Sequence, residues 1–233
     1  MQILVINAGS SSVKFSVFEE EEQIFKSSLD KLEDIAAAIE QVPVTLAKNG
    51  FAPPQAVAHR VAHGGGAFKD AYLIDDAVLS SIEAATPLAP LHNPPNLAGI
   101  RMAQQCWPNV PQVAVFDTAF HQTMPPYATT YAVPKEWRDM GLQRYGFHGT
   151  SHKYVMHRVA QELEVIPSDL RIISCHLGNG ASVCAIDRGT SVDTSMGMTA
   201  LEGLVMGTRS GDVDPGLFAF LARIIHKPLF AFW

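Results

Sequence analysis

Three cysteines are too few and too scattered for a disulfide framework. Cys106, Cys175 and Cys184 form no CxxC pair and no metal-finger spacing. They are expected to be buried or half-buried thiols of a reducing compartment. Charge is also scarce, at 17% of residues with a formal net charge of -6. That argues against a disordered or nucleic-acid-coating chain, and the acidic balance does not favour a polyanionic partner. A small phosphorylated ligand stays open, because a pocket needs only a few local cations. No apolar run approaches the roughly 20 residues of a membrane span. The densest stretch, Leu217 to Ile225, is short and contains Arg223. The N-terminus shows neither a basic n-region nor a cleavage site, so no signal peptide and a cytoplasmic location are expected. Neither GxxxxGK[ST] nor the Rossmann glycine fingerprint occurs, which removes those two nucleotide-binding readings.

What is present is apolar material. Hydrophobic residues make up 47% of 233 residues, enough for the core of one large domain or two small ones. Ile3 to Ile6 reads as a strand, Asn7 to Ser12 as a turn, and the strict alternation of Val13 to Val17 as a returning strand. Glu19 to Glu22 marks the next turn. Leu29 to Ala47 has helical spacing and ends at Asn49-Gly50. Gln55 to Ala62 reads as a strand, Asp75 to Ala85 as a helix, and Asn93-Pro94-Pro95 as the cap and first turn of a helix reaching Cys106. Val113 to Phe116 is a strand that ends at Asp117. Tyr127 to Arg144 is irregular. Thr150 or Ser151 caps a helix through Leu163, with Val155, Val159 and Leu163 as its apolar stripe. The opening device then recurs about 170 residues on. Arg171 to His176, a tip at Leu177 to Ser182, and Val183 to Ile186 repeat strand, small-residue tip and strand. Two related halves across a cleft would bring both tips to one ligand.

Several clusters suit chemistry. Ser10, Ser12 and Lys14 share one face of an extended strand, and with the amides of Gly9 to Ser12 they form a plausible phosphate cradle. The same residues also suit an ordinary hairpin turn. His176-Leu177-Gly178-Asn179-Gly180 lets backbone approach a ligand closely. Arg60 lies in an otherwise apolar strand, where burial is costly unless it meets an anion, and a guanidinium suits a carboxylate; a strand-edge position is the alternative. His59, His63 and His121 read as structural groups. Asp117 stands where open α/β sheets present site residues, or else as a helix cap. His148 precedes a helix start, which favours anions. Arg209 lies in a glycine-flanked loop, mobile enough to reach a ligand. Asp212 and Asp214 lack EF-hand spacing.

Longer strings carry a family likeness. Asn7 to Lys14, His59 to Gly65, Ala89 to Pro94, Val115 to Pro125, Arg144 to Lys153, His176 to Ser182, Asp193 to Met198 and Met206 to Pro215 together resemble the acetate and propionate kinases. The resemblance implies an α/β fold of two RNase-H-like domains flanking a cleft, as in the actin, sugar kinase and heat-shock superfamily. The first domain would be 1–150 and the incomplete beginning of the second 151–233. It implies ATP and Mg2+ as cofactors, transfer of phosphate to a small carboxylate, and a homodimer, with no nucleic-acid or membrane partner. By similarity Asn7 helps position the metal, and Ser10, Ser12, Lys14 and His176 to Gly180 meet the nucleotide phosphates. Arg60 binds the substrate carboxylate in a pocket lined by Ala62, Leu91, Phe147 and Ala200. Asp117, His148 and Arg209 are the catalytic set. A carboxylate is already ionised at neutral pH, so Asp117 reads as an orienting or metal-linked group rather than a base.

Two departures from the family pattern matter. Acetate kinases usually carry Val at the position of Ala62 and Pro at that of Ala200, so a wider pocket admitting propionate is the alternative to acetate. Family members are also much longer. The expectation is that this chain corresponds to somewhat more than half of one and turns over weakly or not at all alone. A non-catalytic phosphate-binding or dimerising module is the rival of a different class. A sugar kinase is a weaker rival, because it needs a general base and polar hydroxyl-binding groups rather than Arg60.

Overall fold

A computed structural model describes residues 1–9, 12–30 and 35–225. Ser10 and Ser11 of the first tip, and the chain after Ile225, lie outside the described residues. β1 (Gln2–Ala8) and β2 (Ser12–Glu19) form the expected antiparallel hairpin, with Ala8 opposite Val13. Val13, Phe15 and Val17 are buried on one face, as their alternation requires, while Lys14 is exposed on the other. After the turn comes a third antiparallel strand, β3 (Glu22–Asp30). Leu29 therefore belongs to a strand and not to the helix expected from there. Phe25, Ser27 and Leu29 are half-buried in alternation with exposed neighbours, a two-residue period that wins over the helical one. α1 (Ile35–Lys48) follows and ends, as expected, at Asn49 and Gly50, the latter at φ 81°.

β4 (Ala56–Val61), the short β5 (Ala71–Leu73) and α2 (Asp76–Ala84) come next, with Asp75 capping α2 by accepting a 2.8 Å bond from the Val78 amide. α3 (Asn93–Cys106) has the expected span, but His92 holds the cap position. The Asn93 side chain is instead fully buried, accepting from the His63 amide at 3.1 Å and donating to the His63 carbonyl at 3.0 Å. A tertiary partner has displaced the local cap. β6 (Gln112–Phe116) leads into a 3-10 turn, Ala119–Thr123. Two short helices, α4 (Pro126–Thr129) and α5 (Lys135–Asp139), interrupt the segment expected to be irregular.

α6 (Gly149–Glu162) starts from His148 in the left-handed conformation, φ 59°, with no side-chain cap. Thr150 and Ser151 lie inside the helix. Its buried face is Gly149, His152, Met156 and Ala160, while Leu163 is 58% exposed, so the expected stripe is displaced by one position. The true stripe contains a histidine, which an apolar count passes over. β7 (Arg171–Leu177), β8 (Ala181–Asp187), β9 (Thr190–Thr194) and α7 (Gly216–Ile225) complete the described elements.

The first sheet is six-stranded in the order β3-β2-β1-β4-β6-β5 and the second is the meander β7-β8-β9. The second sheet repeats the antiparallel course of β1-β2-β3, so the recurring hairpin is a recurring meander. β1, β4 and β6 run parallel at the centre of the large sheet, and their carboxyl ends lie along one edge. Leu4, Ile6, Phe15, Ile39, Val57 and Met102 form one apolar cluster on it, and Val61, Ile82, Ile100 and Phe116 another. Phe120 packs with Met156, Cys184 and Ile186, and Phe147 with Ala181, Met196 and Met206. Each such Phe contributes about 1.5–3 kcal/mol by leaving water, and together they fasten the second sheet beside the end of β6. Cys184 is buried, but Cys106 and Cys175 are exposed free thiols, against expectation; both sit at element ends or on an outward strand face. Among the described residues no helix is long and apolar enough to cross a membrane.

Candidate active site

The carboxyl edge of the parallel strands gathers the polar residues. Asn7 is the last residue but one of β1, Arg60 lies on β4, and Asp117 follows β6, where its amide donates to the Val61 carbonyl at 2.9 Å. The anion that Arg60 needs is Asp117, at 2.9 Å from Nη2. Asp117 is almost fully buried, and its Oδ2 also accepts from the His148 amide at 2.9 Å while Oδ1 accepts from Thr150 Oγ1 at 2.8 Å. It thus caps α6 through space as well as pairing with Arg60. Burial pushes its carboxyl up, but Arg60 and the two donors outweigh that and hold it at about 2. One of the five Arg60 N–H donors is used here, which leaves the rest of the fork for a ligand.

A cavity of about 400 Å³ opens on this pair. Arg60, Asp117, His148 and Arg209 line it together with Ala62, Leu91, Phe147 and Ala200. Every residue expected in the catalytic set and the carboxylate pocket therefore borders one space. Asn7, Ser12, Lys14 and the second tip do not line it, and Ser10 lies outside the described residues. Gly180 of the second tip is nonetheless close: a Cβ there would stand 3.0 Å from Arg209 Nη2 and 3.4 Å from the His148 ring. A side chain there would press on the end of Arg209 and touch the His148 ring.

The electrostatics favour an anion. Among the described residues no carboxylate pairs with Arg209, whose Nη1 donates to the Ala200 carbonyl at 2.7 Å. The Met206 amide donates to the Arg209 carbonyl at 2.9 Å, and Asp212 Oδ1 accepts from the Gly203 amide at 2.8 Å. The loop expected to be mobile is therefore hydrogen-bonded. His148 is lowered to about 4, chiefly by burial, and so is neutral at pH 7. With two arginines and one carboxylate, the cavity has one positive charge in excess.

Two features escape sequence reasoning. His92 lines the cavity and is lowered by burial and then by Arg60 and Arg209; its only signal is its place within the string Ala89 to Pro94. The second is a clamp on the loop that carries Ala200. Arg144 Nη1 donates to the carbonyls of Thr194 at 3.1 Å, Ser195 at 3.3 Å and Met196 at 3.1 Å, while Nη2 meets Glu202 at 2.5 Å. Tyr131 adds a hydrogen bond to Glu202 and accepts one from the Met198 amide at 2.9 Å. The histidines expected to be structural are so. His59 bonds Gln112 at 2.9 Å, His63 accepts from the Gly65 amide at 2.9 Å, and His121 Nε2 donates to the Phe147 carbonyl at 3.0 Å.

Fold and site together define an α/β protein with a small, net-positive, partly apolar cavity at the carboxyl edge of parallel strands, suited to a small organic anion. Residues 29–227 match the model of the acetokinase family, and the chain belongs to that family. It is 48% identical over 253 residues to an acetate kinase of Halothermothrix orenii, covering 95% of this chain and 64% of that protein. An acetate kinase of Pseudomonas aeruginosa is 47% identical over 248 residues, covering 96% and 63%. The chain thus spans somewhat under two thirds of the curated relatives it matches. Among solved structures, Porphyromonas gingivalis acetate kinase superposes with a TM-score of 0.90 at 39% identity, covering 97% of this chain and 65% of that one. A propionate kinase from Francisella tularensis gives a TM-score of 0.90 at 40% identity, covering 99% and 66%. The chain shares the α/β fold of these kinases.

Proposed function

We propose that this site transfers phosphate reversibly between ATP and a short-chain carboxylate, acetate first. The observation that carries the reading is the convergence of Arg60 and Arg209 on one cavity that Ala62, Leu91, Phe147 and Ala200 also line. Phosphoryl transfer is mostly positioning and neutralisation of charge. In this reading the free donors of Arg60 hold the carboxylate, while Ala62, Leu91, Phe147 and Ala200 receive its methyl group. Arg209 and His148 face the charge that spreads over the transferring group. Asp117, ionised above a pH of about 2 and held by three donors, orients Arg60 and takes no proton. Ser10, Ser12, Lys14 and the second tip, His176 to Gly180, would meet the nucleotide phosphates.

Magnesium fits the donor set. Among the described residues no three metal-binding side chains converge, and a magnesium ion that brings phosphate oxygens and waters needs only one or two protein oxygens. The Asn7 amide and the remaining lone pair of Asp117 Oδ1 are the ones this edge offers. When bound, the ion would neutralise the β- and γ-phosphate oxygens. The family resemblance extends the proposal to a homodimer in the cytoplasm, and the two separate sheets support a division at 1–150 and 151–233. A propionate kinase is the second reading, favoured by the small Ala62 and Ala200 in the cavity lining.

Two measurements test this. Calorimetry should show acetate binding to the chain, at least tenfold weaker in Arg60→Gln; equal binding by both would refute the pocket. Acyl phosphate formed from ATP, magnesium and acetate, trapped as the hydroxamate, tests the reaction, and its absence from the whole protein would refute it.

A further inference from the structure

His148 does not stand alone behind the cavity. Its Nδ1 lies 2.9 Å from Ser182 Oγ, the same oxygen lies 2.9 Å from His152 Nε2, and His152 Nδ1 lies 2.9 Å from Ser174 Oγ. His152, Ser174 and Ser182 are buried. The chain therefore runs Ser174, His152, Ser182, His148, cavity, with no gap wider than a hydrogen bond. A neutral imidazole carries a single N–H, so each ring donates from one nitrogen and accepts at the other.

A serine hydroxyl has one proton to give. Ser182 can donate to only one of its two imidazoles and must accept from the other. The two tautomers are consequently coupled. Either both rings carry the proton on Nε2, or both carry it on Nδ1. In the second case His152 Nδ1–H donates to Ser174, whose own hydroxyl proton then needs an acceptor. Among the described residues Ser174 Oγ has no other hydrogen-bond partner, so that arrangement strands a buried donor. In the first case Ser174 donates to His152 and only oxygen lone pairs go unused, which costs far less.

We infer that Ser174, His152 and Ser182 are positioning residues that lock His148 as the Nε2–H tautomer, presenting a hydrogen-bond donor rather than a lone pair to the cavity. The backbone cooperates. His121 accepts at Nδ1 from Ser191 Oγ at 2.8 Å and donates from Nε2 to the Phe147 carbonyl, which holds the peptide leading into His148. His176 stacks on the His148 ring at 4.0 Å and limits its rotation. The relay rests on the kinase reading only for what that N–H meets, the transferring phosphoryl group. The ring tautomers themselves do not depend on it.

The test is long-range 1H–15N correlation on the chain labelled with 15N-histidine, with His148 assigned from His148→Gln. Both His148 and His152 should show a protonated Nε2 and a pyridine-like Nδ1. Ser182→Ala should raise the Nδ1–H population of His148 at least severalfold, and Ser182→Thr, which keeps the hydroxyl, should restore the original state. His148 found as Nδ1–H in the unsubstituted chain overturns the inference, whatever the variants do. So does a folded Ser182→Ala in which neither ring changes. If the tautomers are as stated but inorganic phosphate leaves His148 Nε2 unmoved, the phosphoryl-transfer reading suffers and the relay stands.

Discussion

Replacing Asp117 with Asn should destabilise the chain by about 3 kcal/mol, because it strands Arg60. The carboxylate is almost fully buried and accepts from Arg60, the His148 amide and Thr150. Burial raises it, yet these partners hold it at about 2 against an ordinary 3.8. A group held that far down contributes about 2 kcal/mol at neutral pH. The sign follows from the direction. A depressed carboxyl stabilises above its unfolded value and loses that contribution as pH falls through its folded value. The effect is complete above about pH 5, and about half is gone by pH 3. Removing one partner of a buried pair costs more than the linkage alone, about 3–5 kcal/mol, because the other charge is left uncompensated. Arg60 keeps some access to solvent, which places the expectation at the lower end. The asparagine amide can accept, but its NH2 must also confront one of the three donors. Urea unfolding of both proteins from pH 7 to pH 3 is the assay. The gap should be about 3 kcal/mol at pH 7 and about 1 kcal/mol smaller at pH 3. In Arg60→Met/Asp117→Asn the combined loss should fall at least about 1.5 kcal/mol short of the sum of the single losses. A gap under about 1 kcal/mol at pH 7, or one independent of pH, would refute the reasoning.

Other expectations follow from the same geometry. In the whole protein, Arg209→Ala should lower kcat on the order of 10³-fold, and a loss below tenfold would remove its role against the transferring phosphate. Ala62→Val with Ala200→Pro should shift the kcat/KM ratio toward acetate and away from propionate by about 10- to 100-fold; an unchanged ratio would show that neighbours already close the pocket. Gly180→Ala places a Cβ 3.0 Å from Arg209 Nη2, the far end of a flexible side chain, so phosphate affinity measured by calorimetry should fall while the urea midpoint barely moves. Arg144→Met removes the donor to three loop carbonyls beside Ala200 and should cost about 3 kcal/mol in unfolding free energy, since those carbonyls lose their partner and Glu202 keeps Tyr131 but loses its cation; a cost under about 1 kcal/mol would show that the clamp is dispensable.

Elements defined by a single clear pattern are legible in the sequence. Val13, Phe15 and Val17 announce a strand by strict alternation, and Asn93 to Cys106 a helix of the right span. Arg60 announces an anion by its apolar surroundings. Where two patterns compete, neighbours along the chain do not decide. The spacing around Leu29 fits both periods, and only pairing with β2 selects the strand. Asn93 and Thr150 suit helix caps, yet each finds a stronger partner, His63 and Asp117, than its own helix end provides. The buried stripe of α6 includes His152, polar in composition but buried among serines, so an apolar count settles on the wrong face.

Residue identity and order by themselves determined that this chain has a small-residue tip before Lys14, an arginine in an apolar strand, an aspartate at a strand end, and the strings of one family. Those are local facts, written in neighbours along the chain. Tertiary structure alone decided that the anion for Arg60 is Asp117, that Arg209 has no carboxylate of its own among the described residues, and that Ser182 joins two imidazoles. Hydrogen bonds and ion pairs act over about 3 Å in space, and Arg60, Asp117, His148 and Arg209 come within reach of one cavity only when parallel strands align their ends.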